Sequence, residues 1–222
     1  RPPRSTLFPY TTLFRSVGKV PRFVYPKLLN TYVVDFQLLT EKWNVELNNN
    51  LPCGELLCCF DNAFLATIST EIRSFQFKFL HRIVYTKEKL FKWKIIDNNI
   101  CSFCNEEVES VKHLFWECEF VKIFWRQEFS HCKVNENVIH NFEVDEVLLG
   151  TENISPMFNL IFILGKKYIN ASKYGKTIPN LNGFMNIVKR TKYIEMLIAQ
   201  KKGKLEKHNN KWSMFKIIEI EN

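Results

Sequence analysis

Residues 100–125 read ICSFCNEEVESVKHLFWECEFVKIFW, and four side chains with affinity for a soft or borderline metal, Cys101, Cys104, His113 and Cys118, fall inside that run as C-x2-C-x8-H-x4-C. Two thiols separated by two residues can turn toward one ion across a tight knuckle. Cys101 and Cys104 therefore supply half of a tetrahedral shell before any long-range folding, and His113 and Cys118 supply the rest. Three thiolates and a neutral imidazole around Zn2+ leave no open position for water, which suits a structural zinc and argues against zinc catalysis. Two other readings compete: a redox dithiol and a chance cluster. No βαβ pattern surrounds the pair, and a redox motif leaves His113 and Cys118 without a role.

The second half of the motif constrains the backbone. Five residues of a regular helix advance about 500°, so His113 and Cys118 would point about 140° apart on one. The spacing predicts a helical turn around Val111 to Phe115, a loosened or broken step near Trp116 and Glu117, and a new helix from about Glu119 to Phe129.

On either side the hydrophobic periodicity is helical, so the expected class is mostly α, a small zinc knuckle between helices followed by a basic helical tail. Upstream, Phe36, Leu39 and Trp43 recur at i, i+3, i+7, and Asn48-Asn49-Asn50 before Pro52 marks a loop; Tyr32 to Phe36 reads as a short strand or a helix start. Ile72, Phe75, Phe79 and Ile83 form a stripe capped by Ser69 or Thr70, and Thr86 opens a shorter helix, Lys87 to Trp93. The two make a hairpin leading into the knuckle. Cys58 and Cys59 read as small buried hydrophobes rather than a second metal site. Downstream, residues 135–155 read as an acidic linker, and His131, Cys132 and His140 are substitute ligands only if Cys118 is misplaced. Pro156 starts a helix to about Tyr174 whose apolar run, Phe158 to Leu164, must be buried. Asn182 or a neighbour caps a long helix to about Leu205, with Phe184, Val188, Ile194, Ile198 and Leu205 on one face.

The residues around the ligands carry a resemblance. FQFKFLHRIVYTKEKLFKWKI (Phe75 to Ile95), the C-x2-C pair, then Glu109-Ser110, His113-Leu114-Phe115, Cys118 and Trp125 resemble the zinc-binding segment that follows the polymerase domain in non-LTR (LINE-type) retrotransposon reverse transcriptases. FNLIFILGKKYI, IPNLNGF and IEMLIAQKKGKLEKHNNKW, downstream, resemble the C-terminal tails of such proteins. The likeness implies a remnant after a polymerase core in residues 17–67, a hairpin plus zinc domain in 68–134 and a basic tail in 156–222. It also implies RNA or DNA as partner, with a reverse-transcriptase core as a further one. The competing role is a zinc-stabilised module that packs on a polymerase domain, and a third is an inactive decayed retroelement product.

Residues 1–16 stand apart. TLFPYTTLFRS, Thr6 to Ser16, looks like the translation of a sequencing-adapter oligonucleotide, so the segment is left out of the fold reasoning. Without Arg1, Arg4 and Arg15 the formal charge falls from +8 to +5. A hydrophobic fraction of 46% with twenty Phe specifies a folded chain. No apolar run approaches the roughly 18 residues of a bilayer span. Seven Cys, four of them claimed by one motif, fit a reducing compartment, nucleus or cytoplasm, better than a disulfide framework.

The basic charge is segregated. Between Glu71 and Lys94 there are seven Lys or Arg against two Glu, whereas the knuckle carries Glu106, Glu107, Glu109, Glu117 and Glu119 against Lys112. From Lys166 to Lys216 there are thirteen Lys or Arg and two Glu. Such separation is what a sequence-tolerant phosphate-binding surface requires; a solvated basic face and, for the tail, an amphipathic helix lying on an anionic membrane or in a partner's groove are the alternatives. The candidate contacts are Arg73, Lys78, His81, Arg82, Lys87 and Lys89 in the hairpin. In the tail they are Lys189, Arg190, Lys192, Lys201, Lys202 and Lys204. No Asp-Asp dipeptide of a polymerase palm and no phosphate-cradling glycine loop occurs, so the expectation is a non-catalytic fragment.

Overall fold

In the computed structural model, residues 36–134 and 142–213 are described, and those from Gln37 onward belong to one compact unit. The adapter-like segment, Tyr32 to Asp35 and His140 lie outside the described residues. The helices are α1 (Phe36–Leu47), α2 (Cys53–Ala66), α3 (Thr70–Leu80), α4 (Lys87–Lys92), α5 (Glu119–Val134), α6 (Val144–Leu149), α7 (Pro156–Tyr174), α8 (Leu181–Lys201) and α9 (Leu205–Ser213). A five-residue π-helical turn, His113–Glu117, precedes α5. Among the described residues there is no strand, only an isolated antiparallel bridge between Ile100 and Val108.

α7 is the centre of the assembly because its first half, Pro156 to Gly165, is almost wholly apolar. Leu160 to Leu164 are all buried, as are Met157 and Ile169, and a helix apolar all round has to be enclosed. α2, α3, α6, α8 and α9 all pack against it. Its start follows the local rules: Pro156 occupies the first turn and the Ser155 hydroxyl accepts from the Met157 N–H at 3.2 Å. α5 comes close at Gly165, where any Cβ would run into the Trp125 ring. The core is built of aromatic pairs: Phe79 edge-on to Phe115 at 5.0 Å, Phe124 edge-on to Phe184 at 5.3 Å, and Trp125 edge-on to Phe162 at 6.2 Å. Each such side chain, fully buried, stabilises by roughly 1.5–3 kcal/mol from apolar burial.

Several expected faces turn out rotated or shortened. In α3, Ile72 and Phe79 are buried as expected, but Ile83 lies beyond the helix and is exposed, and Gln76 and Leu80 complete the buried stripe. Ser69 is the cap. The long tail helix is two: Asn180, not Asn182, caps α8, and the chain breaks at Gly203, which takes φ +64° before α9. Phe184 and Val188 are inside, but Ile194 and Leu205 are largely exposed and the buried line continues through Glu195 and Ala199. A buried glutamate defeats any reading that tracks apolar residues only. Within 135–155, Val144–Leu149 forms α6, with Val147, Leu148 and Leu149 buried and a capping box at Glu143 and Glu146.

Polar groups are threaded into this core. Lys166 is fully buried, its Nζ donating to the Leu148 carbonyl and lying 4.5 Å from the Phe79 ring centroid. Burial pushes its pKa well below that of an ordinary lysine. Cys59 is buried with its thiol against the Glu55 and Gly150 carbonyls, and burial raises it to about 12; Cys58 is half-buried, and both are free thiols.

Candidate metal centre

The knuckle is a miniature hairpin. The Cys101 N–H donates to the Glu107 carbonyl at 2.8 Å and the Glu109 N–H to the Asn99 carbonyl at 2.8 Å, clamping both ends of the loop. The turn at its tip needs a left-handed residue after Cys104, and Asn105, one of the few side chains that tolerate it, takes φ 58°. Cys101 and Cys104 therefore face the same interior, with the Phe103 N–H donating to the Cys101 sulfur at 3.4 Å.

The other pair is brought round by the π turn. The Ser110 hydroxyl accepts from the His113 N–H at 3.0 Å and starts the helix; from His113 the bonding widens to i→i+5, with the Cys118 N–H donating to the His113 carbonyl at 2.8 Å. A π turn places residues five apart nearly one above the other, which is what an H-x4-C pair requires and a regular α-helix denies. Cys118 itself turns extended (φ −56°, ψ 131°) and α5 begins at Glu119. The loosened step is where the spacing requires it, with the break at Cys118 rather than at Trp116. The Trp125 indole takes up the Phe115 carbonyl at 2.9 Å, tying this irregular turn into the core.

The four ligand atoms lie within 4.8 Å of one another, Cys101 Sγ 3.9 Å from Cys118 Sγ and Cys104 Sγ 3.4 Å from His113 Nε2. A Zn2+ tetrahedron with the usual bond lengths has S–S edges of about 3.8 Å and S–N edges of about 3.6 Å, so the donor set fits zinc in kind and in size. Cys101, His113 and Cys118 are buried and Cys104 is half-buried. The Cys118 thiol donating to it, together with the backbone N–H groups of Cys104 and Phe103, holds the Cys101 thiol well below its usual value against the opposing effect of burial. Cys118 is pushed up because it holds that shared proton and is itself buried. When bound, zinc would replace the shared proton and cross-link the hairpin to the turn.

Around the ligands stand two carboxylates, Glu109 and Glu46. Glu109 is fully buried. One carboxylate oxygen accepts from the Ser102 N–H at 2.9 Å and the Ser102 hydroxyl at 2.8 Å, and the other from the Lys87 N–H at 2.9 Å and Lys173 Nζ at 2.6 Å. One side chain thus joins the knuckle, the start of α4 and α7. Burial raises its pKa, but Lys173 and these donors outweigh it and the net shift is downward. Glu46 of α1 does the same for the helical turn, accepting from the Lys112 N–H at 2.8 Å and from Arg82 at 2.6 Å. Charge and spacing do not set Glu109 apart from Glu106 and Glu107, which are exposed; only the resemblance, carried in part by Glu109-Ser110, singles it out.

The candidate nucleic-acid contacts divide. In the hairpin, Arg82 sits in the left-handed region after α3, paired with Glu46 and stacked 4.9 Å over Trp43. His81 lies 4.3 Å from the Phe77 ring and 4.9 Å from Phe60, and burial lowers its pKa. Lys89 Nζ donates to the Arg82 and Val84 carbonyls, and burial takes it down to about 8. Arg73 donates to the Thr67 and Phe64 carbonyls. Lys78 is exposed and Lys87 half-exposed. In the tail, Lys189, Arg190, Lys201, Lys202 and Lys204 are exposed, and Lys192 lies half-buried 5.8 Å from the Trp212 ring.

The fold and this centre define a class, a helical protein with a Cys3His cluster fit to hold a zinc ion. Residues 49–125 match the zf-RVT family, zinc-binding in reverse transcriptase, over about a third of the chain. That family is a zinc-binding one rather than a catalytic one. No curated protein matches the chain. No helix among the described residues is long and apolar enough to cross a membrane.

Proposed function

We propose that this chain is a non-catalytic, zinc-stapled nucleic-acid-holding region of a LINE-type reverse transcriptase, positioning template RNA or target DNA beside a polymerase domain. Zinc fixes the hairpin against α5, and lysine and arginine supply sequence-tolerant affinity for phosphate. The observation that carries the reading is the division among the cations. Arg82 and Lys89 are consumed by internal contacts, while Lys189, Arg190 and Lys201 stand exposed on α8, with Lys78 and Lys87 on the hairpin side. Exposed cations without an ion pair among the described residues, on a chain of net charge +8, favour a polyanion as partner. Three free thiols as ligands suit a reducing compartment, nucleus or cytoplasm.

The test is a titration of labelled single-stranded RNA, and of duplex DNA, at several salt concentrations. Binding should weaken steeply with salt, and Lys189→Glu with Arg190→Glu should lower affinity about tenfold or more. No binding at low salt, or binding indifferent to salt, overturns the reading.

A further inference from the structure

Between the end of α2 and the α8–α9 corner lies a groove of about 370 Å³. Its floor is apolar and open to solvent: Phe64 is 60% exposed, Leu65 69% and Ile68 46%, with Ile198 beside them. Contiguous apolar surface of this kind on a folded chain marks a place where something docks. The rim is cationic. Lys202, Lys204 and Lys207 line the groove, are exposed, and have no acidic partner among the described residues.

The walls are held in place without an occupant. Glu195 is buried and accepts from the Thr67 hydroxyl at 2.7 Å, from Lys211 Nζ at 2.7 Å and from the Trp212 indole at 3.1 Å, which ties α8 both to the end of α2 and to α9. Arg73 lies 4.9 Å over the Phe64 ring and donates to the Thr67 carbonyl at 2.6 Å, keeping the ring where it is. At the corner, the Lys204 N–H donates to the Ala199 carbonyl at 2.8 Å behind Gly203. A preformed groove has little ordering to pay on binding. The Glu195 carboxylate and Lys211 neutralise each other, so the uncompensated charge is that of the three rim lysines.

We propose that this groove docks an acidic amphipathic helix of a partner protein, with leucine or phenylalanine along one face and aspartate or glutamate along its edges. The apolar face covers Phe64, Leu65 and Ile68, and the edge carboxylates reach Lys202, Lys204 and Lys207. A nucleic acid fits the floor poorly. Its bases need aromatic faces to stack on, whereas the groove's one exposed ring, Phe64, is covered on one side by a guanidinium, its other ring, His208, is buried against Trp212, and the rest of the floor is branched aliphatic. Lys202 and Lys204 then belong to a protein contact, while Lys189 and Arg190 stay with the phosphate-binding role, which this inference does not rest on.

The experiment pans a random-peptide phage library against the zinc-loaded chain, with Phe64→Ser/Leu65→Ser as the counter-selection bait. Both positions are exposed, and circular dichroism and zinc content check that this variant is folded. Enriched peptides should carry acidic residues beside apolar ones at i, i+3 or i+4, and i+7. A synthetic copy of one should bind about tenfold more weakly to Lys202→Gln/Lys204→Gln/Lys207→Gln and at raised salt, with no change on Lys189→Glu/Arg190→Glu. No enrichment over the counter-selected variant, or enriched peptides without acidic residues, overturns the proposal. So does a labelled single-stranded oligonucleotide whose binding is abolished by Phe64→Ser, which would hand the groove to nucleic acid.

Discussion

The span from Cys101 to Cys118 and helix α7 are nearly equal in length and hold the protein together by opposite means. The span has little regular structure, a strained tip at Asn105 and a π turn, and its four ligands are all local in sequence. α7 is a regular helix of 19 residues whose stabilising partners, Phe79, Trp125 and Leu148 among them, come from helices spread along the chain. The span buries Phe103, Val111, Leu114 and Phe115, and a zinc ion held by its four ligands would add a cross-link to that packing. A helix enclosed on all sides needs no such help. The two touch directly where Glu109 pairs with Lys173, and they are joined through Phe79 of α3 and Trp125 of α5, which reach Phe115 on one side and Lys166 and Gly165 on the other.

That contrast can be broken at its strongest point first. Cys118→Ser removes a ligand and the residue that ends the π turn, and should cost about 4 kcal/mol or more, with amide protection lost across 100–118 while α7 amides keep theirs in hydrogen exchange. Equal loss of protection in α7 would mean the two regions are one cooperative unit. Phe162→Ala is the mirror experiment. It should cost about 3–5 kcal/mol in denaturant titration and leave zinc content unchanged. Glu109→Ala acts on the junction, leaving the Lys173 ammonium with the Tyr85 carbonyl but no carboxylate, and the Ser102 N–H without its acceptor. About 3 kcal/mol should be lost, and the second substitution Lys173→Met should recover part of it in a double-mutant cycle.

The smallest expected effect concerns the buried amine. Lys166 has its folded pKa depressed, so unfolding takes up a proton at any pH between that value and the ordinary lysine range of about 10.4. Stability should therefore rise with pH across that window, and the slope should flatten in Lys166→Met, which at neutral pH should be neutral or stabilising. Urea titrations at a series of alkaline pH values check the sign.

The same contrast decides what the sequence made legible. A ligand set with spacings 2, 8 and 4 is a local pattern, and the angular advance of a helix forces a widened turn on any H-x4-C pair that shares an ion, whatever packs around it. The boundaries of α4 and α7 follow from Thr86 and Pro156 in the same local way. The non-local polar contacts were hidden. Glu195 sits where a periodicity reading wants an apolar residue, because its partners Thr67 and Trp212 are far off in sequence or on the next helix. Arg82 reads as a phosphate-facing cation because Glu46, thirty-six residues upstream, is invisible to a local window. His81 was more accessible to foresight, since Phe77 stands at i−4, where helical side chains meet.

The role given to this chain depends on Cys101, Cys104, His113 and Cys118 sharing one zinc ion. The direct measurement is zinc content, by inductively coupled plasma mass spectrometry, of the chain purified under reducing conditions, beside Cys101→Ser prepared identically. About one zinc per chain is expected, lost in the variant. A chain free of zinc after purification and after exposure to the metal, or a variant that retains it, would contradict the shared-ion centre.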